Sequence, residues 1–299
     1  MKNNRDLRAF SLIEISIVVL IIGILVAGVT QSARLLSQAK ISTAKTLTQS
    51  SPVSSVKNLV LWVESTSDVS FDSTETDDAV TITNWYDINP QNSLKNSFTA
   101  TAKPAYTLNG INGLPAIKFN GTSTIMTSSN FSNIITGSVT VFAVVKLPAS
   151  VAAQPLIGKR VGSSANFQFG TGTSAAGWQF CDNTCPNYAA GSNAAVSANR
   201  AYVASVVYTG TSTAGTSTST GISFFQNGAL ANATTETTTS PSTSVAGSLA
   251  LGGDGVGGFF GGHIGEVIIF DRAIKKEERQ AIEGYLGKKW GITMTTAAI

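Results

Sequence analysis

The sequence feature that most constrains the fold is a long apolar run near the start of the chain. Phe10 to Val29 spans twenty residues and contains one charged residue, Glu14. As an α-helix that rises about 1.5 Å per residue, this run extends roughly 30 Å, which matches the hydrocarbon core of a bilayer. The segment before it is basic, and basic residues favour the cytoplasmic side of a membrane. We therefore expect one membrane-spanning helix, with the bulk of the chain outside the cytoplasm.

The helical pattern continues beyond the apolar run. Residues 31–48 are amphipathic and contain neither proline nor glycine, so one helix over 10–48 is predicted. Such a helix is longer than a globular domain requires, which favours a role as a stalk or a filament element. The Ser- and Pro-containing segment 49–56 is predicted to end the helix as a linker.

A cleaved secretory signal peptide is the alternative interpretation of the N-terminus. Three features oppose it: the apolar run is too long, no small-x-small cleavage site follows it, and Glu14 lies near its start. A carboxylate within a membrane helix costs several kcal/mol unless it has a partner, so Glu14 is a functional candidate.

Residues 9–28, AFSLIEISIVVLIIGILVAG, resemble the class III signal of type IV pilins and pseudopilins. The resemblance implies a leader of residues 1–9, cleavage by prepilin peptidase between Ala9 and Phe10, and N-methylation of Phe10. It also implies that Glu14 of one subunit pairs with the N-terminal amine of its neighbour, because each charge neutralises the other in an apolar bundle. The chain departs from the family in two ways: position 9 is Ala where Gly is usual, and the helix lacks the proline that many pilins carry.

The pilin resemblance also sets the expected partners and location. The partners are copies of the chain itself and other pilins, the prepilin peptidase and the pilus assembly machinery. The chain would lie in the inner membrane as a single-pass protein before assembly and on an extracellular pilus afterwards.

Composition narrows the function of the remaining chain. Charged residues make up 12% of the sequence, and small polar residues are abundant, which suits an extracellular β-rich protein. The leader holds much of the net charge of +3, so no basic stripe indicates nucleic-acid binding. One histidine and two cysteines leave little material for metal or thiol chemistry. We predict no cofactor and no enzymatic activity.

From residue 57 onward the pattern predicts an antiparallel sandwich or jelly roll. The predicted strands are Leu59 to Val63, Val80 to Trp85, Ala116 to Phe119, Val139 to Val145, Asn166 to Phe169, Ala201 to Tyr208, Ile222 to Phe225, Leu249 to Leu251 and Ile264 to Phe270. Asn227-Gly228 predicts a hairpin turn. Two Ser/Thr-rich stretches, 209–220 and 233–244, are predicted as exposed loops, with O-glycosylation as the alternative.

A helix is predicted over 275–289, followed by a tail at 293–299. Its apolar face holds Ile282, Tyr285, Leu286 and Trp290, and its charged residues are predicted to form a solvated face. The predicted fold class is therefore α+β: a long N-terminal helix, an antiparallel sandwich over 57–292 and a short C-terminal helix.

Several segments in this region resemble laminin-G-like and concanavalin-like domains. These segments are LVLWVES (59–65), LNGINGLPAIKFNG (108–121), SVTVFAVVK (138–146), SFFQNG (223–228) and FFGGHIGEVIIFDRAIKKEERQAIEGYLGKKWGI (259–292). The resemblance implies a binding or scaffolding module, often for glycans. The same fold hosts glycoside hydrolases, which use two carboxylates flanking the scissile bond. Glu266 has no such companion in its strand, so we interpret it as a paired residue on the strand face.

The remaining site candidates are few. Cys181 and Cys185 lack the second pair that a zinc knuckle needs, so a small disulfide is predicted outside the cytoplasm. His263 has no companion ligand, and glycines of the run 252–258 are attributed to tight turns. Asp182 and Asp254 are considered for calcium without a commitment to either.

Four aromatic residues are considered as platforms for sugar stacking, with core packing as the alternative for each. They are Trp85, Tyr86, Trp178 and Tyr188.

Three functions are compatible with the sequence. The leading hypothesis is a structural subunit of a type IV pilus-like filament that displays the sandwich, for adhesion. The second is a minor, tip or pseudopilin subunit whose sandwich binds carbohydrate, and the third is a membrane-tethered glycosidase.

Overall fold

One helix, α1 (Leu12–Gln49), precedes every strand of the protein. The computed structural model describes residues 11–92, 96–128, 131, 137–172, 177–184, 189–192, 194–210, 221–231, 233–235 and 245–295. Ser11 caps α1, because its side chain accepts a hydrogen bond from the Ile13 N–H while Glu14 accepts one from the Ser11 N–H. By length and composition α1 is apolar enough to span a membrane, with a mean hydropathy of 2.9 in its most apolar window.

Seventeen strands of the described chain form two sheets in which all pairings are antiparallel. The strands are β1 (Leu59–Glu64), β2 (Asn84–Tyr86), β3 (Ser97–Ala102), β4 (Ala105–Ile111), β5 (Leu114–Asn120), β6 (Ile125–Ser128), β7 (Val139–Lys146), β8 (Gln154–Val161), β9 (Ser164–Thr171), β10 (Trp178–Thr184), β11 (Ala189–Ser192), β12 (Ala201–Tyr208), β13 (Ile222–Gln226), β14 (Ala229–Ala231), β15 (Ala233–Thr235), β16 (Leu249–Leu251) and β17 (Gly261–Phe270). Sheet A has the order β14-β13-β12-β7-β17-β5-β4, with β1 also paired to β17. Sheet B has the order β15-β11-β10-β9-β8-β16-β6-β3-β2.

Among the described residues, two large apolar cores hold these layers together, and Ala165 and Cys181 form a third, small one. The first lies between the sheets and includes Trp85, Phe169 and Trp178. The second covers the opposite face of sheet A, where α2 (Lys276–Trp290) and the end of α1 pack on strands such as β1 and β7. Alternation along each strand produces both cores, since successive side chains point to opposite faces. The predicted combination of a long helix, a sandwich and a closing helix is confirmed.

The segment predicted as a linker is instead packed. Pro52–Ser55 forms one 3-10 turn, and Val53 within it has no exposed surface. The start of the predicted tail is also fixed, because the Thr295 N–H donates to the Asn227 carbonyl at 2.7 Å. Residues 49–56 therefore join α1 to the sandwich through buried contacts.

Turn and loop predictions have mixed outcomes. The Asn227-Gly228 hairpin is confirmed: both residues have positive φ, 51° and 81°, as a two-residue turn between β13 and β14 requires. The run predicted over 80–85 is shorter, since regular pairing begins at Asn84 in β2. Of the loop predicted over 233–244, residues 233–235 form β15, and 236–244 lie outside the described residues. Residues 211–220 of the other loop also lie outside them.

Candidate functional site

The junction between α1 and the sandwich is built on buried polar groups. The hydroxyl of Thr48, in the last turn of α1, lies 3.3 Å from the hydroxyl of Tyr285 on α2. The Tyr285 hydroxyl in turn donates to Oε1 of Glu266 on β17 at 2.8 Å. One chain of contacts therefore connects the N-terminal helix to the centre of sheet A.

Beneath this junction lies a buried charge cluster of Glu64, Glu266 and Lys289. Glu64 and Glu266 are direct cross-strand partners on β1 and β17, and Nζ of Lys289 lies 2.9 Å from each carboxylate. The side chains of all three residues are 0% exposed. Burial opposes the charged ammonium, but Glu266 and Glu64 outweigh it, so the pKa of Lys289 is raised. Lys289 therefore stays charged inside the protein.

Two indole N–H groups also donate hydrogen bonds to Glu266. The Nε1–H of Trp62 donates to its Oε1 at 2.7 Å, and the Nε1–H of Trp290 donates to its Oε2 at 2.9 Å. Two facing carboxylates are what a glycoside hydrolase needs, but these two carry an ammonium between them and have no exposed surface. The interpretation of Glu266 as a paired strand-face residue is confirmed, and the cluster links β1, β17 and α2.

The prediction that the charges of α2 form a solvated face is wrong for Arg279, Glu283 and Lys289, all of which are buried. Arg279 pairs with Glu283 and places its guanidinium 3.5 Å from the centre of the Phe225 ring. Burial raises the pKa of Glu283 despite the hydrogen bond from Ser205 and the Arg279 pair. The helix α2 packs on sheet A with its apolar face. The residues on either side of that face are covered as well, which is why these charged side chains are buried.

Only some of the residues to which the pilin resemblance assigns a role lie in the described part of the chain. Glu14 is exposed and accepts the Ser11 N–H at 2.9 Å, while Ala9 and Phe10 lie outside the described residues. Cys181 is buried on β10 and carries no free thiol, but Cys185 also lies outside the described residues. Cleavage, methylation, filament pairing and the Cys181–Cys185 bond therefore stay predictions.

Two of the four aromatic residues considered for sugar stacking are core residues. Trp85 and Trp178 are 0% exposed, so core packing is confirmed for both. The indole of Trp85 donates to the Glu64 carbonyl, and that of Trp178 to Gln226. Tyr86 is partly exposed and donates to a carboxylate, and Tyr188 lies outside the described residues.

Asp254 organises the glycine run that sequence analysis assigned to turns. Its Oδ1 accepts the N–H groups of Val256 and Gly258, and its Oδ2 pairs with Arg160 at 2.5 Å. Among the described residues no group of three His, Cys, Asp or Glu side chains is arranged to hold a metal. The carboxylate of Asp254 therefore closes a loop over sheet B.

A cavity of about 480 Å³ opens where the end of α1 meets β1. Lys45 and Asp68 line it and form an ion pair at 2.5 Å. Its size is within the range of small-molecule pockets, and its lining also includes Trp62, and Glu64 of the buried charge cluster, together with hydroxyl and amide side chains.

The two-sheet architecture has a counterpart among known families. A family model described as the concanavalin A-like lectin/glucanases superfamily matches residues 119–278, which is more than half of the 299-residue chain. The chain belongs to this superfamily. The match covers β6 to β17 and the start of α2, and it leaves α1 outside. No curated protein matches the chain.

Solved structures of similar fold are distant in sequence. Botulinum neurotoxin type C, whose cell entry depends on two ganglioside molecules, is 11% identical with a TM-score of 0.51, over 77% of this chain and 51% of that one. Domain 4 of AbnA, an extracellular arabinanase from Geobacillus stearothermophilus, is 14% identical with a TM-score of 0.48, over 76% and 97%. A sialidase from Trypanosoma rangeli is 14% identical with a TM-score of 0.48, and this chain spans 34% of its length. At these identities the likeness concerns the fold alone.

Proposed function

We propose that this protein is a structural subunit of a type IV pilus-like surface filament, assembled through α1 and displaying the concanavalin-like sandwich outside. The observation that carries the proposal is the difference in burial between the two ends of α1. Its large apolar side chains over residues 12–29 are each more than half exposed, whereas Ala44 and Thr48 at its other end are buried against the sandwich. One continuous helix thus joins an exposed apolar segment to a folded domain.

An exposed apolar helix needs apolar surroundings, since burial of apolar surface is the main favourable term in association. The inner membrane supplies these surroundings before assembly, and the helices of other subunits supply them in a filament. Glu14 is the one carboxylate in this segment, and its charge requires a partner in such surroundings. The N-terminal amine released by cleavage before Phe10 of a neighbouring subunit is the partner we assign, with prepilin peptidase as the processing enzyme.

The test is filament formation by Glu14→Ala in a bacterium with a pilus assembly machinery. We expect sheared surface filaments from the wild type to contain a chain that begins with N-methylated Phe10, as measured by mass spectrometry. Glu14→Ala should yield no filaments although the protein accumulates in the membrane. Ser16→Ala, which changes a polar residue of the same helix without changing charge, should assemble normally. Abundant Glu14→Ala filaments would disprove the role of this carboxylate.

A second candidate function is carbohydrate binding by the sandwich, as in a minor or tip subunit. Membership of the concanavalin A-like lectin/glucanases superfamily favours it. We propose binding without turnover, because the side chains of Glu64 and Glu266 have no exposed surface and are both bound to the ammonium group of Lys289. A glycan array probed with the full chain in non-ionic detergent tests the binding. An array without any ligand would count against it, and release of reducing sugar from a bound polysaccharide would favour the glycosidase hypothesis instead.

A further inference from the structure

Three basic residues lie side by side on sheet A. Lys118 on β5 is the cross-strand partner of His263 on β17, and His263 is the partner of Lys146 on β7. Direct cross-strand partners project from the same face of a sheet. Neighbouring strands are about 4.8 Å apart, so the two lysines stand roughly 10 Å apart with the imidazole between them. We call Lys118, His263 and Lys146 the basic row.

Small residues flank the basic row on both sides. Ala105 on β4 is the partner of Lys118, and Ala201 on β12 is the partner of Lys146. Lys118 is exposed, and His263 and Lys146 are partly exposed. The row is therefore accessible, and the methyl groups of Ala105 and Ala201, both partly exposed, add little bulk beside it.

The basic row carries no compensating acid in the described part of the chain. None of its three side chains forms a hydrogen bond or an ion pair there. Burial first, and then the charges of Lys146 and Lys118, lower the pKa of His263 to about 4, and no carboxylate opposes this shift. The carboxylate of Glu266, further along β17, is bound to Lys289 and two indoles. With its pKa lowered to about 4, the imidazole is uncharged at neutral pH, so the row carries two like charges, those of Lys118 and Lys146, which repel each other across it.

We propose that the basic row binds the acidic groups of a polysaccharide, either carboxylate or sulfate. This inference rests on the carbohydrate-binding candidate and names its ligand class. An anion between the two ammonium groups removes their repulsion and accepts charge-assisted hydrogen bonds from both. The imidazole between them supplies a further N–H donor, and the flanking alanines admit the sugar rings. A repeating acidic polymer fits a linear row better than a single small anion does.

The experiment compares dextran sulfate with neutral dextran, using the full chain in non-ionic detergent micelles. We expect dextran sulfate to bind and neutral dextran not to bind in isothermal titration calorimetry. The double variant Lys118→Gln/Lys146→Gln should bind dextran sulfate at least tenfold more weakly. The matched control is Lys276→Gln/Lys288→Gln, which removes two exposed charges from α2 and should keep the affinity within about twofold. An equal loss in both double variants would show general charge attraction and overturn the site.

His263 offers a direct local readout, because it is the single histidine of the chain. Bound dextran sulfate should shift its imidazole NMR signals and raise its pKa from about 4 towards the ordinary value of 6.5. Unchanged signals at saturating dextran sulfate would place the binding elsewhere and overturn the proposal. Equal binding of inorganic sulfate at matched sulfate concentration would overturn the polysaccharide assignment. If neutral glycans bind on the array and dextran sulfate does not, the carbohydrate-binding candidate survives and only the basic row fails.

Discussion

The ammonium nitrogen of Lys289 lies 2.9 Å from Oε2 of Glu266, and neither side chain is exposed to solvent. This contact fixes the last turn of α2 to the middle of sheet A. Glu64 accepts a second hydrogen bond from the same ammonium group, so this one cation links side chains on β1, β17 and α2. The C-terminal helix is therefore held by a buried ionic contact in addition to its apolar face.

Replacement of Lys289 by Met should destabilise the protein by about 3–5 kcal/mol, because it leaves two buried carboxylates without their cation. The neighbouring substitution Lys288→Met changes an exposed residue of the same helix and should cost less than about 0.5 kcal/mol. Guanidinium unfolding in detergent, followed by tryptophan fluorescence, measures both. Equal stabilities of the two variants would contradict the structural importance of the cluster.

The stability of the protein should fall as the pH drops from about 6.5 to about 4, since the pKa of His263 is lowered to about 4 by burial and by two lysines. In this range the unfolded chain binds a proton at position 263 that the folded protein does not, so the contribution is present above pH 6.5 and lost below it. At 1.36 kcal/mol per pKa unit it amounts to at most about 3.4 kcal/mol, and partial exposure reduces it.

The variant His263→Asn separates this contribution from that of the acidic residues. In this variant the unfolding free energy should depend less steeply on pH between pH 6.5 and 4, because the proton uptake of one imidazole is removed. An unchanged slope in His263→Asn would show that the imidazole is protonated normally in the folded protein.

The sequence was sufficient to predict α1, the sandwich and α2, because each depends on a local pattern. The apolar run with Glu14 predicts a helix, and alternation with turn residues such as Asn227-Gly228 predicts strands. The basic row was not predictable in this way. Lys118, Lys146 and His263 are far apart in the sequence, and strand order and register bring them together.

The wrong prediction for α2 has a physical cause. Helical periodicity identified Ile282 and Trp290 as buried but gave no information on how wide the covered surface is. Arg279 and Glu283 lie beside that stripe, and each can be buried because the other neutralises it. Val53 of the predicted linker shows the same limit, since a Ser- and Pro-rich segment can still insert one apolar side chain.

Gly252 tests the assignment of the glycine run to tight turns. It has a φ of +74°, and an added Cβ would lie 2.1 Å from the Phe119 ring. Gly252→Ala should therefore cost about 3 kcal/mol, from overpacking together with left-handed backbone strain. Gly255→Ala has a similar φ of +84°, but its Cβ would make only an ordinary contact, 3.9 Å from the Cβ of Ala250, and should cost only the strain of about 1 kcal/mol. Thermal unfolding measures both, and equal costs would exclude the clash with Phe119.

Ala44 determines whether α1 is rigidly attached to the sandwich. It is 1% exposed in the core formed with α2, whereas Ala39, a little over one turn earlier, is exposed. Ala44→Asp places an unpaired charge in this core, which costs several kcal/mol unless the helix end detaches. Ala39→Asp adds the same charge on the solvent side and serves as the control.

Detachment should be visible as faster amide hydrogen exchange over residues 41–49, because a helix end without tertiary contacts is only marginally stable in water. Strands of sheet A should keep their protection in both variants, and Ala39→Asp should leave 41–49 protected as well. If 41–49 stays protected in Ala44→Asp, the Lys45–Asp68 and Thr48–Tyr285 contacts alone would hold the helix. Otherwise the apolar contact at Ala44 is what keeps the sandwich at a fixed angle to α1, and thus orients the basic row on any filament that α1 forms.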